Sequence, residues 1–151
     1  MNRFLKLVGI PFIIAIAIFL FIRFVWLRGF EFTDMTVDEY VTFYNSNGEG
    51  IIFVTRKVEE SEENDGFDEN AEFEEVIGKN FEEKNIEVYK LDLTDVSGDE
   101  EQKFIDANEF TEEQYVIPML IYVKDGAIID VIEGYVPDYV MSEFITSNNI
   151  E

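Results

Sequence analysis

The chain has 151 residues, with 15 Phe, 7 Tyr and 1 Trp, enough apolar mass for one domain with its own core plus a tether. It contains no cysteine and no histidine, which excludes thiol–disulfide chemistry and removes the commonest general base and zinc ligand. Residues 1–30 carry four basic residues and no acid, while residues 31–151 carry 7 basic and 33 acidic residues, a balance of −26; such a surface repels nucleic acid and anionic headgroups and favours cationic partners and divalent ions.

Leu7 to Ile22 is free of charge, Arg23 interrupts, and Phe24-Val25-Trp26-Leu27 resume the apolar run. A helix over residues 7–27 is about 30 Å long, the thickness of the hydrocarbon core. Arg23 lies one turn from its end and can snorkel, Trp26 suits the interfacial belt, and Pro11 falls near the first turn. The expected organisation is a cytoplasmic terminus at residues 1–6, a transmembrane helix at 7–27, a linker at 28–35 and one domain at 36–151. The alternative is a signal cleaved near Gly29. However, the small-x-small triplet Ala15-Ile16-Ala17 lies inside the apolar run instead of after it. With no cysteine to acylate, a lipoprotein anchor is excluded. Three positive charges (the amino terminus, Arg3 and Lys6) precede the span and two (Arg23 and Arg28) follow it. That balance favours a single-pass protein of the cell membrane with its domain outside the cytoplasm.

In the soluble part, Thr36-Val37-Asp38-Glu39 matches a capping box, and Val37, Tyr40, Val41 and Tyr44 continue at helical spacing, which predicts a helix over 37–45. Residues 45–50 form a loop, and Gly50-Ile51-Ile52-Phe53-Val54-Thr55 reads as a strand buried on both faces. Residues 56–70 are polar and strongly acidic, and their middle reads as a mobile loop around Asp65-Gly66. A helix is expected over 72–84, with Phe73, Val76, Ile77 and Phe81 on one face. Ile86 to Leu93 alternates at period two, predicting a strand exposed on one face. A turn at 94–98 and a helix over 99–110 come next, with Phe104, Ile105 and Ala107 on the helix's apolar side. Val116-Ile117-Pro118 opens a strand that ends in the Asp125-Gly126 turn, and a second strand runs to Gly134. Pro137 is expected in the first turn of a final helix that turns Val140, Met141, Phe144 and Ile145 inward. Phe53, Tyr89, Phe104, Tyr122 and Phe144 read as core. This order gives an α/β fold with a mixed sheet covered on both faces.

The order of elements resembles the thioredoxin fold over residues 34–148, lacking at most its first edge strand. Four features carry the resemblance: the central strand at 51–55, the Leu91-Asp92-Leu93 strand end, Ile117-Pro118 opening the next strand, and Lys124-Asp125-Gly126 followed by Gly134. The chain is also similar to the small membrane-tethered thioredoxin-like proteins of Gram-positive bacteria, including those called bacteriocin transport accessory proteins. The resemblance implies a cis Ile117–Pro118 bond, with backbone beside it free to pair with an extended peptide; the plainer alternative is a proline that only sets the entry of an edge strand. The family's redox motif would fall within residues 56–62, where Glu59 and Glu62 take the two thiol positions. A carboxylate cannot attack a disulfide, and Ser61 has no histidine to activate it.

The resulting expectation is a membrane-anchored, redox-inactive binding module without a cofactor and without enzymatic activity. It holds a protein or peptide at Ile117 and Pro118, with Glu59, Glu60 and Glu62 facing a cationic partner. The alternative is a structural subunit that acts through its transmembrane helix, the acidic domain being a solubilising cap. The acidic stretch offers calcium candidates in Glu62, Glu63, Asn64, Asp65, Asp68 and Glu69, but not at the spacing of an EF-hand loop, and runs of charge are ordinarily solvated surface. Paired carboxylates for glycoside cleavage arise by chance among 33 acids, and no sugar cleft is legible.

Overall fold

The structure is a computed structural model that describes residues 16, 30–57, 68–111 and 114–150. The chain divides into two units, Met1–Glu31 and Phe32–Glu151, and the second carries the sheet and its helices. Apart from Ile16, the expected span at 7–27 lies outside the described residues, as do Glu59, Glu60, Glu62 and Asp65. Among the described residues, no helix is long and apolar enough to cross a membrane.

The elements in chain order are β1 (Thr33–Asp34), α1 (Val37–Asn45), β2 (Gly50–Thr55), α2 (Glu69–Glu82), β3 (Val88–Asp92), α3 (Gly98–Asn108), β4 (Met119–Lys124), β5 (Ala127–Glu133) and α4 (Asp138–Ser147). The strands form one mixed sheet in the order β1-β3-β2-β4-β5. β2 runs parallel to β3 and antiparallel to β4, so it is the central strand. Ile51 to Val54 are buried throughout, as an apolar run between two helical layers requires.

Side-chain parity sorts the core into two layers. Ile52 and Val54 join Val37 and Tyr40 of α1, Phe104 of α3, and Ile121 and Val123 of β4 in one cluster. On the opposite face Phe53 meets Phe73 of α2 edge-on, with centroids 5.7 Å apart. Phe81 of α2 and Met141, Phe144 and Ile145 of α4 are buried as well.

Local signals fix most boundaries. The Thr36–Glu39 capping box is formed in full, and α1 has the expected limits. Asp125 and Gly126 both have positive φ, 53° and 70°, as a two-residue primed hairpin turn requires. α2 begins three residues before the expected Glu72, because the Asp68 carboxylate caps it by accepting from the amides of Asn70 and Ala71. Pro137 is the N-cap of α4 and so precedes its first turn.

Two expectations are corrected. Residues 33–34, read as linker, form β1 and pair with Tyr89 and Lys90 of β3; the thioredoxin-like first edge strand is therefore present. β3 is not exposed on one face. Lys90 stands beside Phe53 in register and lies beneath α2, with its ammonium 2.7 Å from the Glu74 carboxylate and over the rings of Phe32 and Phe53. A lysine whose ammonium lies over aromatic rings and finds a carboxylate is half-buried where its residue type alone would place it in water.

Candidate functional site

The parallel strands β2 and β3 end at Thr55 and Asp92, and β4 begins at the same edge, since Val54 pairs with Met119. Pro118 and the exit from β2 therefore meet at one end of the sheet. Open α/β sheets bind ligands outside the carboxyl ends of their strands.

The exit from β2 is held from two sides. Thr55, buried, donates its hydroxyl to Asn70 Oδ1 at 2.9 Å, which ties the strand to the first turn of α2. The Lys57 amide donates to Thr94 Oγ1 at 2.8 Å, and Thr94 Oγ1 donates to Asp92 Oδ1 at 2.5 Å. Next to this exit, the Arg56 guanidinium donates to Glu101 Oε1 of α3 at 2.5 Å, and the Tyr115 hydroxyl donates to the same oxygen at 2.5 Å. Burial works to raise the Glu101 carboxyl, but the bonds from Tyr115 and Arg56 and the Arg56 charge outweigh it, and the group is held below the usual carboxylate value. Burial, then the bond to Glu101 and its charge, push the Tyr115 phenol well above its usual range. The bond to Glu101 raises Arg56 against its partial burial. Both shifts carry the acid and the phenol away from neutrality, so at pH 7 the cluster is a fixed ion pair with a neutral phenol.

Tyr115 leads directly into the strip beside the proline. The Ile117–Pro118 bond is cis. Pro118 is buried and Ile117 half-buried, while Val116 is 39% exposed. The Pro118 carbonyl accepts from the Gly134 amide at 2.8 Å, which closes the β4–β5 ladder. Among the described residues, the amides and carbonyls of Val116 and Ile117 make no hydrogen bond. Across from them, the loop after β5 is fastened to α2, because Tyr135 donates its amide to Glu69 Oε1 at 2.9 Å.

Ile117 and Pro118 are thus placed together at the expected edge, whereas Glu59, Glu60 and Glu62 lie outside the described residues. Of the calcium candidates, Asp68 and Glu69 are described, and both carboxylates are engaged by backbone amides, as helix cap and loop clasp. No group of three or more acidic residues able to hold a metal ion occurs among the described residues. Arg56, Glu101, Tyr115 and the Glu69 clasp are not legible in the sequence. Their partners stand 14 to 66 positions apart, beyond the reach of any local pattern.

No family model matches the chain, and no curated protein matches it in sequence. Solved structures do. A thioredoxin from Aeropyrum pernix aligns over 78% of this chain and 85% of its own at 16% identity, with a TM-score of 0.52. The oxidised thioredoxin from Plasmodium falciparum aligns over 78% and 98% at 12% identity, with a TM-score of 0.53. A thioredoxin from Malassezia sympodialis aligns over 80% and 91% at 15% identity, also at 0.53. Together with the strand order and the placement of Pro118, these likenesses give the chain a thioredoxin-like fold.

Proposed function

We propose that the protein is a membrane-anchored, non-catalytic binding module that holds an extended segment of a protein or peptide partner along Val116 and Ile117, beside Pro118. The observation that carries this reading is the strip of backbone whose amides and carbonyls make no bond among the described residues, next to a half-buried isoleucine and an exposed valine. An added strand gains affinity from such main-chain groups and specificity from the pockets between them. The Arg56–Glu101–Tyr115 cluster supports this reading, since it ties down Tyr115, from which the chain runs into Val116 and Ile117. A chain without thiols keeps the peptide-holding half of the fold and lacks the redox half.

The apolar run at residues 7–27 and the charges around it support anchoring in the cell membrane with the domain outside the cytoplasm. In that setting the protein resembles the tethered accessory proteins of bacteriocin export, and a secreted peptide is the natural occupant of the strip. The test is capture of partners by the full-length chain in its native cells, against the Ile117→Glu variant. Loss of the partner from a variant with an unchanged melting temperature supports the strip. Equal capture by both proteins overturns it.

A further inference from the structure

The sheet ends in two edges of unequal length. β1 is two residues long, whereas β5 runs seven residues, from Ala127 to Glu133. Among the described residues, no strand pairs with the outer side of β5. Its sequence, Ala-Ile-Ile-Asp-Val-Ile-Glu, is mostly apolar and β-branched, the composition of an edge that invites another strand. Register tells which groups point outward. The Gly134 amide donates to the Pro118 carbonyl, so the ladder bonds of β4 to β5 continue at Leu120–Ile132 and Tyr122–Asp130. Val131, opposite Ile121, falls between these two pairs and turns its amide and carbonyl away from β4. That outward amide donates to Oδ1 of Asp130 at 2.9 Å. The second oxygen of the same carboxylate accepts from Nδ2 of Asn148, the C-cap of α4, at 2.8 Å. Asp130 is half-buried and held at both oxygens.

We propose that Asp130 guards the β5 edge against antiparallel pairing with a second copy of this chain. The role is independent of the strip beside Pro118. A side-chain acceptor on an edge amide competes with an incoming strand for the same donor. The donor it occupies is the one that self-pairing needs. With Val131 set opposite its own counterpart, each Val131 amide would donate to the other's carbonyl. In that register Asp130 faces Ile132 and Ile129 faces Glu133, so no two acids are opposed and the edge is complementary to itself. Such a pair is two-fold and closes at two copies. Ile129 is the extra residue where the β4–β5 register shifts at Tyr122/Val123, and it is 51% exposed on this edge. A bulge at an edge also turns the strand away from a neighbour, so the bulge and the Asp130 cap act in the same direction.

The experiment uses the absence of cysteine from the chain, which lets a single introduced thiol report an encounter without background. Val131→Cys is made in the full-length chain, alone and together with Asp130→Val. Each protein is oxidised in uncharged detergent micelles at fewer than one chain per micelle. The ionic strength is physiological, so repulsion between two acidic domains is screened beyond about 8 Å. Residues opposed in a hydrogen-bonded antiparallel pair have Cα atoms about 5.5 Å apart, within disulfide range. The doubly substituted chain is expected to form covalent dimer at least about fivefold faster than Val131→Cys alone, because its edge amide has lost the cap. Asp130→Asn, which keeps an oxygen acceptor, stays at the slower rate. Cysteine at the exposed Lys103 of α3, with and without Asp130→Val, gives the rate of chance encounter. Asp130→Ala is the second variant, used if Asp130→Val lacks a cooperative melting transition. Equal rates with and without the Asp130 carboxylate, a rate no higher than that from position 103, or an Asp130→Asn chain as fast as Asp130→Val overturns the guard.

Discussion

Arg56 and Glu101 meet at 2.5 Å, Nη2 to Oε1, and the Tyr115 hydroxyl donates to the same carboxylate oxygen. One oxygen thus joins the end of the central strand, the first turns of α3 and the segment that leads to Pro118. The carboxyl is held below its usual value: burial opposes this, and the Tyr115 and Arg56 bonds overcome it. A depressed folded-state pKa gives stability that is present above the unfolded value, about 4.3, and is lost as pH falls through the lower folded value. Glu101→Gln is expected to be about 1 kcal/mol less stable than the native chain at pH 7, the pair being partly exposed and screened. The gap begins to close below the unfolded value and is gone once pH has fallen through the lower folded one. Thermal unfolding of both proteins between neutral and acid pH checks this, and a gap independent of pH contradicts it.

Tyr115 titrates in the opposite direction. Burial first, and then Glu101, raise its phenol. A raised folded-state pKa gives stability that is fully present below the unfolded value, about 10, and is lost as pH rises through the folded one. Tyr115→Phe removes the hydroxyl that donates to Glu101 and is expected to cost about 1 kcal/mol at pH 7. Above about pH 10 the native chain loses this contribution and the variant has none to lose, so their unfolding curves converge.

Lys90 tests the covered face of β3. Its ammonium reaches Glu74 of α2 and two aromatic rings. Lys90→Met keeps the stem and is expected to change stability by less than about 1 kcal/mol. Lys90→Glu sets a carboxylate against Glu74 and against the negative faces of the rings, and is expected to cost about 2 kcal/mol or more. Denaturant unfolding separates the two outcomes; a face open to water predicts small effects from both.

Asp68 tests the fate of the acidic stretch. It caps α2 through the amides of Asn70 and Ala71, so Asp68→Ala is expected to lose about 1 kcal/mol. The loss is expected to be the same with and without millimolar calcium at matched ionic strength. A larger loss in calcium would return Asp68 to the role of metal ligand.

The legible parts of the fold are those written in short-range pattern. Thr36 and Glu39 announce α1, Asp125-Gly126 announces the hairpin, and the apolar run at 51–54 announces a doubly covered strand. Ser97 and Glu100 form a second full capping box at the start of α3, a signal of the same kind that the expected turn at 94–98 passes over. β1 leaves no pattern because it is two residues long and gains its identity only from register with Tyr89 and Lys90. Lys90 misleads for a related reason: period two reports residue type, and a lysine under a helix is placed by its distant partners. The site divides the same way. Ile117-Pro118 is a contiguous signal, whereas Arg56, Glu101 and Tyr115 come together only once the sheet and α3 are assembled.

The most direct test of the binding-module account is photo-crosslinking in native cells from a probe at position 117, with a second probe at the exposed Lys103 of α3 and a third within residues 7–27. The account predicts one dominant product from position 117 that is absent from position 103. A product from within residues 7–27 alone, with none from position 117, would contradict it and make residues 7–27 the contact that matters.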